Sequence, residues 1–98
     1  MESTKIVLFK NKKIRKTIFE NKWWFSVVDI VAVLTDSLNP RDYWYKMKMR
    51  LKDADEVELS TFCRQLKLKS ADNKNYLTDC ANTEGIFRII HRKKLRLQ

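Results

Sequence analysis

The chain has 98 residues, enough for one domain with one core and too few for two that each bury a sizeable interior. With 44% hydrophobic and 11% aromatic residues, one Gly and one Pro, the composition excludes a disordered or low-complexity chain. Twenty-one Lys and Arg against 12 Asp and Glu give a net charge of +9, an excess that calls for an anionic partner: nucleic acid first, an anionic membrane surface second.

Thr4 to Phe9 is rich in β-branched and apolar residues and reads as a strand, with Lys10-Asn11-Lys12-Lys13 as its hairpin turn. Ile14 to Phe19 resumes as a second strand, and Glu20-Asn21-Lys22 turns the chain into a third at Trp23-Trp24-Phe25. Ser26, with Asp29 three residues on, forms the pattern of a capping box and predicts a helix over Val27 to Thr35. The β-branched content of that stretch favours a strand on propensity, but a strand leaves the Ser26 cap unexplained.

Asn39-Pro40 is the clearest boundary, an N-cap followed by a proline at the first helical position. From Pro40 to Lys52 the helical step puts Trp44, Met47 and Leu51 on one face and Arg41, Tyr45, Lys48 and Lys52 on another. The acidic run Asp53 to Glu58 reads as an exposed turn, and Leu59 to Gln65 is ambiguous between a short helix and a loop. Leu66 to Lys69 alternates with period two, Asp72 to Asn75 is turn-forming, and Tyr76-Leu77-Thr78 returns as a partner strand. Asn82 caps a final helix whose only glycine, Gly85, implies that another piece of backbone packs closely there. The fold class expected is α+β: a small antiparallel sheet, made of the N-terminal hairpins plus a second hairpin, packed with about three helices. The chain reads as one domain, 1–98, with a basic tail from about 92.

Catalytic signals are missing. His91 is the only histidine, has no nucleophile within six positions, and stands beside Arg92 and Lys93. Cys63 and Cys80 have no CxxC partner, cannot close a zinc site with one His, and read as buried reduced thiols. A single glycine cannot make a phosphate-cradling loop. The sequence therefore predicts no enzyme, no metal and no cofactor. No apolar run approaches membrane-spanning length, so the expectation is a soluble, unexported, cytoplasmic protein.

The cations are clustered. Lys12, Lys13 and Arg15, with Lys10 and Lys16, concentrate in the first hairpin; Arg41, Lys48 and Lys52 share a helical stripe with Tyr45; Arg92, Lys93 and Lys94 load the last helix. Any one cluster serves equally well as a solvated face, but three together favour phosphate contact, with Tyr45 the aromatic best placed at an interface. Trp44 and one of Trp23 and Trp24 are read as core.

Taken in order, several segments resemble the N-terminal domain of the BRO proteins of large DNA viruses, which phage and prophage antirepressors share (the Bro-N domain). They are Phe9 to Arg15, Trp24 to Ile30 followed by Val33-Leu34, Asn39-Pro40-Arg41, and Asn82 to Ile90. Trp44 to Leu51 and Gln65 to Asp79 are similar to a bacterial, prophage-associated branch, with Asn73 where that branch usually has Gly. The resemblance implies a small α+β domain, DNA binding in the viral members and relief of repressor control in phages. The function expected is a non-enzymatic DNA-binding module of antirepressor type involved in regulating transcription, in a prophage-carrying bacterial cell. The alternative is a protein-interaction module that docks on a repressor without touching DNA. DNA is expected over RNA as partner, and a homodimer would double the contacts.

Overall fold

The computed structural model describes residues 4–35 and 37–97, with side chains described outside 54–58 and 92–97. The chain opens with three antiparallel strands, β1 (Lys5–Phe9), β2 (Lys12–Phe19) and β3 (Lys22–Ser26). Phe9 pairs with Lys12 and Phe19 with Lys22, so both loops are two residues long. Lys10, Asn11, Glu20 and Asn21 have φ of 52°, 64°, 52° and 62°, the left-handed backbone of type I′ turns, whose twist matches that of the flanking strands. The first turn is therefore shorter than the sequence suggested: Lys12 and Lys13 belong to β2, and their side chains point to opposite faces.

Helix α1 spans Val27–Thr35, and Ser26 Oγ accepts the Asp29 amide at 3.4 Å, as the capping pattern implied. Helix α2 starts at Pro40, with Asn39 Oδ1 accepting the Asp42 amide at 3.2 Å, but runs on to Phe62. The acidic stretch expected to turn is helical. Its Ala and Glu are good helix formers, no Gly or Pro interrupts residues 41–62, and Met47, Leu51, Leu59 and Phe62 keep an apolar stripe on one side. At the end of α2 the Cys63 amide still donates to the Leu59 carbonyl while its own backbone is already extended, so the ambiguous segment passes from helix to strand with no loop between.

Strands β4 (Cys63–Lys69) and β5 (Asn75–Ala81) form the second hairpin, and α3 (Thr83–Leu97) follows, its Asn82 cap accepting the Gly85 amide at 2.8 Å. In the turn of that hairpin Asn73 has φ 66°, a conformation that asparagine tolerates better than most residues and that glycine adopts freely. The five strands make one antiparallel sheet in the order β1-β2-β3-β5-β4, giving a compact α+β fold. At the far end of β4 the Lys69 amide donates to Thr4 Oγ1 at 3.0 Å, so the sheet curls enough to bring the end of β4 against the residue that precedes β1, while the edges of the two strands stay unpaired. No helix among the described residues is long and apolar enough to cross a membrane.

Alternation along β5 feeds two cores. Ala81 joins Val27, Val31, Trp44, Met47, Leu51 and Ile89, where all three helices pack on one face of the sheet. Its neighbour Cys80 points the other way and joins Trp24 and Leu68 inside the curl. Trp24 and Trp44 are buried while Trp23 is partly exposed, the division the sequence implied. Both cysteines are free thiols, and burial pushes each up to about 12, which keeps them unreactive near neutrality.

Gly85 packs where the sequence placed a close approach. A Cβ there would lie 2.6 Å from Phe62 Cδ1, 2.8 Å from the Phe62 carbonyl oxygen and 3.0 Å from Ala81 Cβ. Gly85→Ala, which gains about 1 kcal/mol in an open helix, is therefore expected to destabilise the protein by about 1–3 kcal/mol in urea unfolding, because a backbone oxygen cannot swing aside.

Candidate nucleic-acid interface

β3 stops at Ser26, where the chain turns into α1. Its pairing with β2 begins at Lys16 and its pairing with β5 reaches only Cys80 and Ala81. The stretches Lys12–Arg15 of β2 and 75–79 of β5 thus have no strand between them, and the two hairpins diverge. The result is an open cleft of about 1270 Å³, bounded by β2, the start of α1, the first turns of α2, β5 and the β4–β5 loop.

Five cations line this cleft, Lys13, Arg15, Arg41, Lys48 and Lys69, together with three carboxylates, Asp29, Asp72 and Asp79. Two of the cations are committed to the fold. Arg15 Nε donates to Asp29 Oδ2 at 2.8 Å, its two Nη2 hydrogens face Asp29 Oδ1 and Ser26 Oγ, and its two Nη1 hydrogens face the Lys69 carbonyl and Ser70 Oγ at 3.2–3.5 Å. All five guanidinium donors thereby have protein acceptors, which leaves none for a phosphate. The Arg15 amide, without a β3 partner, donates to Asp29 Oδ2 at 2.9 Å, so this carboxylate occupies the place the missing strand would fill.

Lys48 is the second. Its Nζ lies 2.7 Å from Asp79 Oδ2, which also accepts Trp44 Nε1 at 2.8 Å, while Asp79 Oδ1 accepts Gln65 Nε2 at 3.2 Å. Burial pushes the Asp79 carboxyl up, but the hydrogen bonds from Lys48 and Trp44, the Lys48 charge and the Gln65 amide outweigh it and hold the group below its usual value.

Three cations remain. The side chains of Lys13, Arg41 and Lys69 are exposed and make no ion pair with a described residue. Tyr45 stands beside them at 58% exposed. Across the cleft Tyr76 is held by a 2.6 Å hydrogen bond from its hydroxyl to Asp72, which lowers the Asp72 carboxyl and raises the Tyr76 phenol. Ile6 and Leu77 add exposed apolar surface.

Of the residues marked in the sequence, Lys13, Arg15, Arg41, Tyr45 and Lys48 meet in this cleft although they come from separate elements. Lys12 does not. Its Nζ donates to the Ala32 carbonyl at 3.0 Å, in the last turn of α1, where a cation complements the helix dipole. Lys52 is exposed one turn beyond the cleft, and the side chains of Arg92, Lys93 and Lys94 lie outside the described residues. Lys69 and Tyr76 were not singled out in the sequence, because only the closing of the curl brings the second hairpin to β2. Comparison with protein-family models, curated proteins and solved structures finds no match. Among the described residues no three His, Cys, Asp or Glu side chains come together as a metal cluster. The cleft presents charged groups, hydrogen-bonding side chains and two tyrosines to whatever enters it.

Asp79 makes a titration test. A carboxyl lowered by folding contributes stability that is fully present above its ordinary value of 3.8 and is lost as pH falls through the lower folded value. Asp79→Asn is expected to cost about 1–2 kcal/mol at neutral pH, allowing for its partly exposed position, and to flatten the stability loss below pH 3.8 in urea titrations.

Proposed function

We propose that the cleft binds DNA, as a sequence-tolerant, non-enzymatic module of Bro-N type that acts in the regulation of transcription. The observation that carries this reading is the convergence of Lys13, Arg41 and Lys69, three exposed cations from β2, α2 and β4, around an exposed tyrosine in one cleft. Cations with no carboxylate partner are the ones that gain most by meeting phosphates, since each contact releases condensed counterions from the nucleic acid. Tyr45 supplies a flat face for a sugar or base. The resemblance of the sequence to the Bro-N domain supports the same class of partner, and the net charge of +9 supplies a long-range attraction to it.

Within this reading the residues divide by role. Lys13, Arg41 and Lys69 contact phosphates and give affinity with little sequence preference. Arg15 and Lys48 position the cleft and do not touch the ligand, because Asp29 and Asp79 hold them.

The test is fluorescence anisotropy with unrelated duplex sequences across a salt series. Lys13→Ala, Arg41→Ala and Lys69→Ala together are expected to weaken binding roughly ten- to hundredfold at low salt and to reduce the salt slope by about 1 per residue, by similar amounts for every sequence. Lys22→Ala with Lys46→Ala, neither of which lines the cleft, removes charge elsewhere and is expected to change both quantities much less. Equal loss in the two variants would mean that overall charge alone drives association. Failure of the parent protein to bind duplex, single strand or RNA, with retention on a repressor, would replace the reading by a protein-docking one.

A further inference from the structure

The two edges of the sheet are guarded unequally. β4 carries Arg64, Lys67 and Lys69, the kind of charged residues that discourage edge pairing, and the amide of Lys69 is already satisfied by Thr4 Oγ1. β1 has little of this protection, with a single lysine at its start. All five of its residues are exposed, with Ile6, Leu8 and Phe9 at 56%, 67% and 49%, and between Lys5 and Phe9 it has no charge, no proline and no bulge. An apolar edge strand of this kind presents an unfilled row of backbone donors and acceptors to another strand.

We propose that β1 pairs antiparallel with β1 of a second copy of this chain, forming a two-fold dimer centred on Val7. The sequence Lys5-Ile-Val-Leu-Phe is self-complementary about that centre. Val7 meets Val7 of the other copy, Ile6 meets Leu8, and Lys5 meets Phe9, so no like charges face each other. The last pair places a cation beside an aromatic ring, an arrangement Phe9 already makes with Lys10 of its own chain at 5.6 Å. The five residues leave on the order of 1,000 Å² exposed over the two copies, so edge pairing buries at most that much, the small end of specific interfaces, and the shared backbone hydrogen bonds supply the rest of the affinity. A two-fold axis perpendicular to the joined sheet keeps the helices of both copies on one side. Thr4 and Ile6 line the cleft as well as opening β1, so the two clefts flank the seam.

The dimer does not depend on the nucleic-acid reading, and salt separates the two. Each copy carries +9, so added salt screens the repulsion and tightens the dimer while it weakens phosphate binding. Sedimentation equilibrium of the nucleic-acid-free protein across the micromolar range is expected to show a monomer–dimer equilibrium that shifts toward dimer with salt. Val7→Lys, which sets two ammonium groups against each other at the axis, is expected to raise the dissociation constant about a hundredfold or more with an unchanged circular dichroism spectrum.

Should Val7→Lys lose its fold, Val7→Cys decides. Facing Cα atoms about 4.5–5.5 Å apart suit a disulfide, so oxidation is expected to cross-link this variant, whereas Leu8→Cys, two residues out of register with its own copy, cross-links far more slowly. The native thiols compete little, since Cys80 is buried, Cys63 is partly buried and burial keeps both protonated. A wild-type protein that stays monomeric throughout, a Val7→Lys variant that stays dimeric, or equal cross-linking at positions 7 and 8 would each overturn the proposal.

Discussion

Ser26 is where the architecture is decided. Its hydroxyl accepts the Asp29 amide, and the chain leaves the sheet after five residues of β3. Had β3 continued, it would have filled the space between β2 and β5, and the sheet would have no cleft. Because it stops, the Arg15 amide is left without a strand partner in a position that is not freely solvated, and such a group costs about 1–3 kcal/mol if left unmade. Asp29 satisfies it, and the same carboxylate then holds the Arg15 guanidinium, whose remaining donors reach the β4–β5 loop. One premature strand end thus fixes the first turn of α1, the tilt of the second hairpin and the space between them.

Polar and apolar forces divide the labour. Trp24, Trp44 and the residues packed with them supply most of the stability, since truncating a buried tryptophan costs about 3–5 kcal/mol. Exposed pairs such as Lys46 with Asp42 contribute about 0–1 kcal/mol. The half-buried pairs at Arg15–Asp29 and Lys48–Asp79 fall between, and their effect is geometric. Apolar packing tolerates small slides, whereas the hydrogen bonds at Asp79 from Trp44, Lys48 and Gln65 fix α2 against β4 and β5 in one register. Among the described residues no buried side-chain N or O atom lacks a partner, so this specificity is obtained without an unpaired group in the interior.

Local chemistry was legible in the sequence, and long-range closure was not. Ser26, Asn39 and Asn82 announced three helix starts because a cap is a contact between residues three apart. Gly85 announced a close approach because nothing but a missing Cβ fits against the Phe62 carbonyl. The acidic run after Lys52 misled, since charge suggests solvent while Ala and Glu suggest helix, and the apolar stripe through Leu59 and Phe62 settled the competition. Arg41, Tyr45 and Lys48 were visible as a stripe on one helix. That Lys13 and Lys69 would join Arg41 depends on how far the sheet curls, and no spacing along the chain encodes that. Nor does the sequence say that Asp29 and Asp79, which stand 14 and 31 residues from Arg15 and Lys48, would claim those two cations.

A basic stripe read from sequence therefore overstates the number of phosphate contacts. The carboxylates nearest the cations in sequence are not the ones that neutralise them. Asp42, within the stripe's own turn, pairs with Lys46 on another side of α2, while Lys48 is taken by a strand residue. Structural cations are satisfied at short range by the fold, and what is left over gives the surface its field. In this chain the remainder within the cleft is Lys13, Arg41 and Lys69 against Asp72, whose charge is already shared with the Tyr76 hydroxyl and the Lys74 amide. The same accounting applies to β1. A chain carrying +9 would be expected to guard both edges of its sheet with lysine, and it does so along β4 but only at the first residue of β1. The more weakly charged edge lies beside the cleft, so any partner strand added at β1 brings its own positive charge next to the first, and an anion held in the two clefts would draw the copies together.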